Sequence, residues 1–143
     1  MQPFQLHAVL KYRGQLEDSS RQKLFAAREK RASIQALLNR HQQELETVYT
    51  SQREAKEKGT TIAELILLEN RVSIVQEYVN ETKKSLDKAD REVENARKEL
   101  LLASRNKKII EKIKDHQDLA YQQFLKKKEL AMLDELAVLY YKK

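Results

Sequence analysis

His7, His41 and His116 are the residues best suited to catalysis or metal binding, and their spacing supports neither. No H-E-x-x-H pair and no Asp-rich calcium loop occurs. His7 and His116 would meet only if the chain folds back on itself, and two histidines without a third ligand rarely hold zinc. His41 reads as a partly buried, pH-sensitive packing residue. No serine has a histidine base at a recognisable spacing, and neighbouring carboxylates such as Asp134 and Glu135 point apart on a helix. Two glycines leave no loop able to cradle a phosphate, and the absence of cysteine removes disulfides and thiolate metal sites. The chain is expected to be no enzyme and to need no cofactor.

The elements that would have to position such groups are equally plain. Gly14, Gly59 and Pro3 are the whole supply of glycine and proline in 143 residues. A layered globular fold draws far more on turn-forming residues. With 35% charged residues, 6% aromatics and no tryptophan, the composition fits long helices. Lys58-Gly59-Thr60-Thr61-Ile62 is the one strong break, with glycine placed to close a helix in positive φ. Thr61 and Glu64 have the spacing of a capping box. The reading is helix one over about 4–58, a turn at 59–61 and helix two over about 62–140, forming a single domain. Gly14 is expected inside the first helix.

Stepping alternately by three and four from Leu65 to Ile110 meets twelve apolar residues in fourteen, where composition would supply about six. Such a heptad seam implies a left-handed coiled coil. From Leu6 to Ala55 the same walk meets nine in fifteen, interrupted by Arg13, Glu17, Ser20, Arg31, His41 and Gln52. Two seams joined by a short turn predict an all-α antiparallel coiled-coil hairpin. Helix two is the longer, so beyond about residue 114 it overhangs. There Leu119, Phe124, Leu130, Leu133, Ala137 and Tyr140 leave the strict register, as in a segment that awaits a partner.

Charge is uneven along this hairpin. Residues 1–31 and 105–143 hold 17 basic and 9 acidic groups, whereas 32–104 hold 11 and 13. The open end is therefore basic and the turn end weakly acidic, which concerns partners rather than fold. Lys107, Lys108, Lys112, Lys114, Lys126, Lys127 and Lys128 suggest nucleic acid, but Glu111, Asp115, Asp118 and Glu129 alternate with them and stacking aromatics are few. No nucleic-acid partner is expected. The opening residues lack a basic leader, and no apolar run approaches the roughly 18 residues of a membrane span, so a cytoplasmic protein is expected.

The opening Phe4-x-Leu6-x-x-Val9-Leu10-x-x-Arg13-x-x-x-Glu17, followed by Leu24-x-Ala26-Ala27, resembles the start of the FliJ family of flagellar type III export proteins. Lys128-Glu129-Leu130-Ala131-Met132-Leu133-Asp134-Glu135-Leu136-Ala137 resembles the family's closing signature. This resemblance implies a hairpin similar to the coiled coil of the rotary ATPase γ subunit. It implies a stalk set in the pore of the hexameric export ATPase (FliI-like), touching the export gate protein (FlhA-like) and escorting export chaperones. The location implied is the cytoplasm, at the inner-membrane export apparatus, reached through partners only. The ATPase-side residues implied are Lys126, Lys127, Lys128, Leu133, Asp134, Glu135 and Leu136. The gate-side positions are Tyr49, Val75 and Tyr78, with Val75 also fitting the seam. Arg71 departs from the aromatic or large apolar residue expected there. Alternatives are the corresponding stalk of a virulence secretion system, or a basic coiled-coil protein that binds nucleic acid or unfolded chains. A prefoldin-like subunit would need β-hairpins, for which the segment around Gly59 has no room. A four-helix dimer would cover the interrupted seam.

Overall fold

The computed structural model describes residues 3–141, and side chains from Leu6 to Tyr141. Two helices account for nearly all of it: α1, Pro3–Lys58, and α2, Ile62–Tyr141. The turn between them follows from three residues. Gly59 takes φ 80°, the left-handed conformation that ends α1, while Lys56 and Lys58 place positive charge on its last carbonyls. Thr61 then caps α2: its hydroxyl accepts from the Glu64 amide at 3.2 Å, and its carbonyl accepts from the Leu65 amide at 3.2 Å. A full capping box would return the Glu64 carboxylate to the Thr61 amide. Here it accepts from the Thr60 hydroxyl instead, a donor one residue before the cap.

Gly14 and Gly59 respond oppositely to alanine. An added Cβ meets nothing within 4 Å at either position. At Gly59 only the left-handed backbone matters, and Gly59→Ala costs about 1 kcal/mol. Gly14 lies inside α1, where Gly14→Ala stabilises by about 0.5 to 1 kcal/mol. Thermal melts of the two variants check both signs.

The chain divides into two compact units, one of Arg21–Lys98 and one of Met1–Ser20 with Glu99–Lys143. In each, α1 and α2 run antiparallel against one another. Crossing contacts join residues whose numbers add to about 120. In the turn-side unit these are Lys30 with Glu92 at 3.3 Å, Arg31 with Asp90, Glu44 with Arg71, and His41 with Tyr78. In the other unit the pair is Glu17 with Lys107 at 3.5 Å.

The two units are built on different cores. Every buried apolar side chain among the described residues lies in the turn-side unit: Leu24, Leu38, Val48, Val75, Val79, Ala89 and Ala96. Thr82 joins them because its hydroxyl donates to the Tyr78 carbonyl at 2.7 Å, satisfying the polar group within its own helix. In the other unit, among the described residues, the one buried side chain is Glu17, 7% exposed. It faces Lys107, which also reaches Glu111 at 3.9 Å. Arg13, one turn earlier, has its Nε buried without a hydrogen-bond partner. Glu17 is thus the anion that allows cations into this seam. A buried pair adds little net stability, yet removing one member leaves uncompensated charge. Glu17→Ala is expected to lower stability by about 2 kcal/mol, and changing both Glu17 and Lys107 to leucine to restore most of it. Urea titrations of the single and double variants measure this.

Past Asp118 the hairpin seam ends. Every described side chain from Leu119 to Tyr141 is exposed, although the helix continues through them. No described helix is long and apolar enough to cross a membrane.

Candidate partner-binding site

Three regions that could do something beyond folding emerge from these elements, and none is catalytic in form. His7 and His116 are exposed. His41 fills a seam position, its ring 5.5 Å from that of Tyr78 across the hairpin and its Nδ1 3.9 Å from Glu44. Among the described residues, no three His, Cys, Asp or Glu side chains gather closely enough to hold a metal ion.

The first region is the turn-side pair of tyrosines. Tyr49 and Tyr78 are each a little over 40% exposed. Val75, grouped with them by sequence, is wholly buried. It is a seam residue, and no partner reaches it while the helices are paired. Heptad positions separate the tyrosines further. With Leu45 and Val72 as a residues and Val48 and Val75 as d, Tyr78 is a g residue and Tyr49 an e. In an antiparallel pair, g faces g along one flank and e faces e along the other. The g flank is marked by the Lys30–Glu92 and Glu44–Arg71 ion pairs. Tyr78 therefore lies with Arg71 on one flank, held by His41, and Tyr49 on the opposite one. Arg71, where an aromatic or apolar residue was expected, is accounted for locally by Glu44.

The second region is the uncovered end of α2. Lys126, Lys127, Lys128, Leu133, Asp134, Glu135 and Leu136 are all exposed. At about 3.6 residues per turn, eight of the ten apolar side chains from Leu130 to Tyr141 occupy an arc of about 200°. Asp134 and Glu135 stand on the remainder, separated by Val138 and Ala131. A coiled-coil seam is about half as wide. Such an end has apolar surface to bury on more than one side. The shallow groove lined by Asp134, Glu135, Val138 and Leu139 is one helix's own relief.

The third region is one that a search for a single seam overlooks. Leu102, Ile109 and Ile113 are 59%, 55% and 41% exposed. Their spacing, seven then four, is the sequence signal of a second stripe on α2.

Comparison with known proteins adds one finding. The family described as "FliJ: Flagellar FliJ protein" matches residues 1–143, the whole chain. No curated protein and no solved structure matches it.

Proposed function

The chain belongs to the FliJ family of flagellar proteins and so serves flagellar type III export, and from that premise we propose that it is a non-catalytic stalk linking the export ATPase to the export gate. The uncovered end of α2 enters the pore of the FliI-like hexamer. The turn-side unit presents Tyr78 or Tyr49 to the FlhA-like gate, and the protein escorts export chaperones from its place in the cytoplasm, at the membrane-bound apparatus through partners only.

The observation that carries the ATPase side is the bare apolar end after Asp118. Exposed apolar surface of that extent marks an interaction site. An arc wider than one seam suits a site surrounded by several subunits better than a single partner helix. Lys126, Lys127 and Lys128 lie within this end, just before Leu130, and favour an acidic approach. On the gate side, the two tyrosines on opposite flanks suit a partner that straddles the hairpin, whereas a flat partner meets only one of them.

The test is ATP hydrolysis by the flagellar export ATPase of the same organism, with and without this protein. Stimulation at stoichiometric amounts supports the stalk. No stimulation of a ring shown to be assembled refutes it.

Charge and apolar contact should separate kinetically. Changing Lys126, Lys127 and Lys128 to glutamine is expected to slow association with the ATPase several-fold at low salt and leave dissociation nearly unchanged, because exposed charge steers encounter. Surface plasmon resonance at two salt concentrations reads this directly. A change confined to dissociation contradicts it.

A further inference from the structure

We propose that the face of α2 carrying Leu102, Ile109 and Ile113 is a docking surface for an acidic amphipathic helix of a partner protein, laid along α2 as a third strand. Leu102, Ile109 and Ile113 lie before the uncovered end begins, and in the other unit from the tyrosines, so a helix seated on them does not depend on the stalk reading.

The three apolar residues lie at heptad spacing and all point away from α1. On a turn of about 3.6 residues, the stripe is centred about 120° from the seam formed by Leu100, Ala103 and Ile110. Those three are half-buried, whereas the stripe is open. A stripe that keeps the spacing of a coiled coil while facing solvent is the pattern of a helix with a missing neighbour. It also continues, through Ala120 and Phe124, into the part of α2 that α1 does not cover.

Charge identifies the neighbour. Arg105, Lys108 and Lys112 run along one side of the stripe, all exposed. None pairs with a carboxylate of the described residues, in contrast to Lys107 with Glu17 and Glu111. The acids that alternate with these lysines in sequence fall elsewhere. Glu111, Asp115, Asp118 and Glu129 share an arc of about 60° on the far side of the basic row. A helix seated on the stripe with glutamates or aspartates along its edge would complement that row. A second copy fits poorly, because two-fold symmetry sets Arg105, Lys108 and Lys112 against themselves. A lipid surface fits poorly too, because helices that lie in membranes present a much wider apolar face than three residues in line.

The experiment uses the full chain and two synthetic helical peptides, with leucine at the a and d positions of each heptad and either glutamate or lysine on the flanks. Isothermal titration is expected to show the glutamate peptide binding at least about tenfold more tightly than the lysine peptide. Leu102→Ser with Ile109→Ser, and separately Arg105→Glu with Lys112→Glu, should each weaken it by about tenfold or more. The charge-reversed protein should gain affinity for the lysine peptide. Circular dichroism should show both variants as helical and as heat-stable as the parent, since the substituted side chains are exposed. Equal binding of the two peptides overturns the proposal, as does glutamate-peptide affinity that neither variant changes. It is also overturned if the stripe instead mediates self-association, lost in the serine variant on ultracentrifugation. The same holds if both variants lose binding to phosphatidylglycerol vesicles while no peptide binds.

Discussion

Val75→Asp is expected to unfold the turn-side unit under conditions where the parent protein is stable, with a loss of about 3 to 5 kcal/mol. Val75 has no exposed surface and sits in the seam between Val72 and Val79. A carboxylate there has no cation opposite it and no route to water, so the helices must part or the charge must be neutralised. The melting temperature should fall on the order of 10 °C for a chain of this size. Val75→Ala removes two methyl groups and should cost about 1 to 2 kcal/mol. Tyr78→Ala, three residues away but nearly half exposed, should cost about 1 kcal/mol or less. Urea unfolding followed by circular dichroism ranks the three. This order also decides how gate-binding data are read: lost binding in a Val75 variant reports an unfolded hairpin, whereas lost binding in Tyr78→Ala reports a contact. A Val75→Asp protein as stable as the parent would mean that the helices do not pair along this seam.

The seam was legible because helix geometry fixes which positions face inward, whatever residue occupies them. All positions from Leu6 to Ala55 and from Leu65 to Ile110 on the three-four walk are buried or half-buried, including Arg13, Glu17, Thr82 and Lys107. The end of the covered region was legible for the same reason. A turn near residue 60 pairs Leu6 with a position near 114, and side-chain cover ends at Asp118. Less legible was the division of labour among residues of similar type. Val75 could be seam or surface on its chemistry, and only its burial settles it. Arg71 looked anomalous because the sequence does not announce that Glu44, 27 residues earlier, stands opposite. The second stripe is hard to read in the sequence because Leu102, Ile109 and Ile113 are separated by Arg105, Lys108 and Lys112, and a charged surface conceals a short apolar line. The quality of the two cores differs for a readable cause, however. The charged interruption at Glu17 faces Lys107, so the unit holding both chain ends relies on an ion pair where the other relies on valine and leucine.

That same unit supplies the second large effect. Truncation after Asp118 should leave the stability of the hairpin within about 0.5 kcal/mol of the full chain, because no side chain from Leu119 to Tyr141 is buried against α1. Helical signal falls in proportion to the residues removed, but the melting temperature holds. Stimulation of the export ATPase, by contrast, should be lost altogether, and affinity for it should fall by at least about a hundredfold, equivalent to about 3 kcal/mol. That figure is modest against the apolar surface available. Fully burying a single leucine stabilises by about 1.5 to 3 kcal/mol, and Leu130, Leu133, Leu136 and Leu139 are all exposed. Leu133→Ser with Leu136→Ser should reproduce much of the loss in a chain of full length, excluding an effect of helix length alone. Tyr78→Ala should leave ATPase stimulation intact, since it alters the turn-side unit only. A truncated protein that still stimulates fully would move the ATPase contact to the paired part of the hairpin. The bare end of α2 would then need another occupant, and its arc of apolar surface would remain the feature any such partner has to cover.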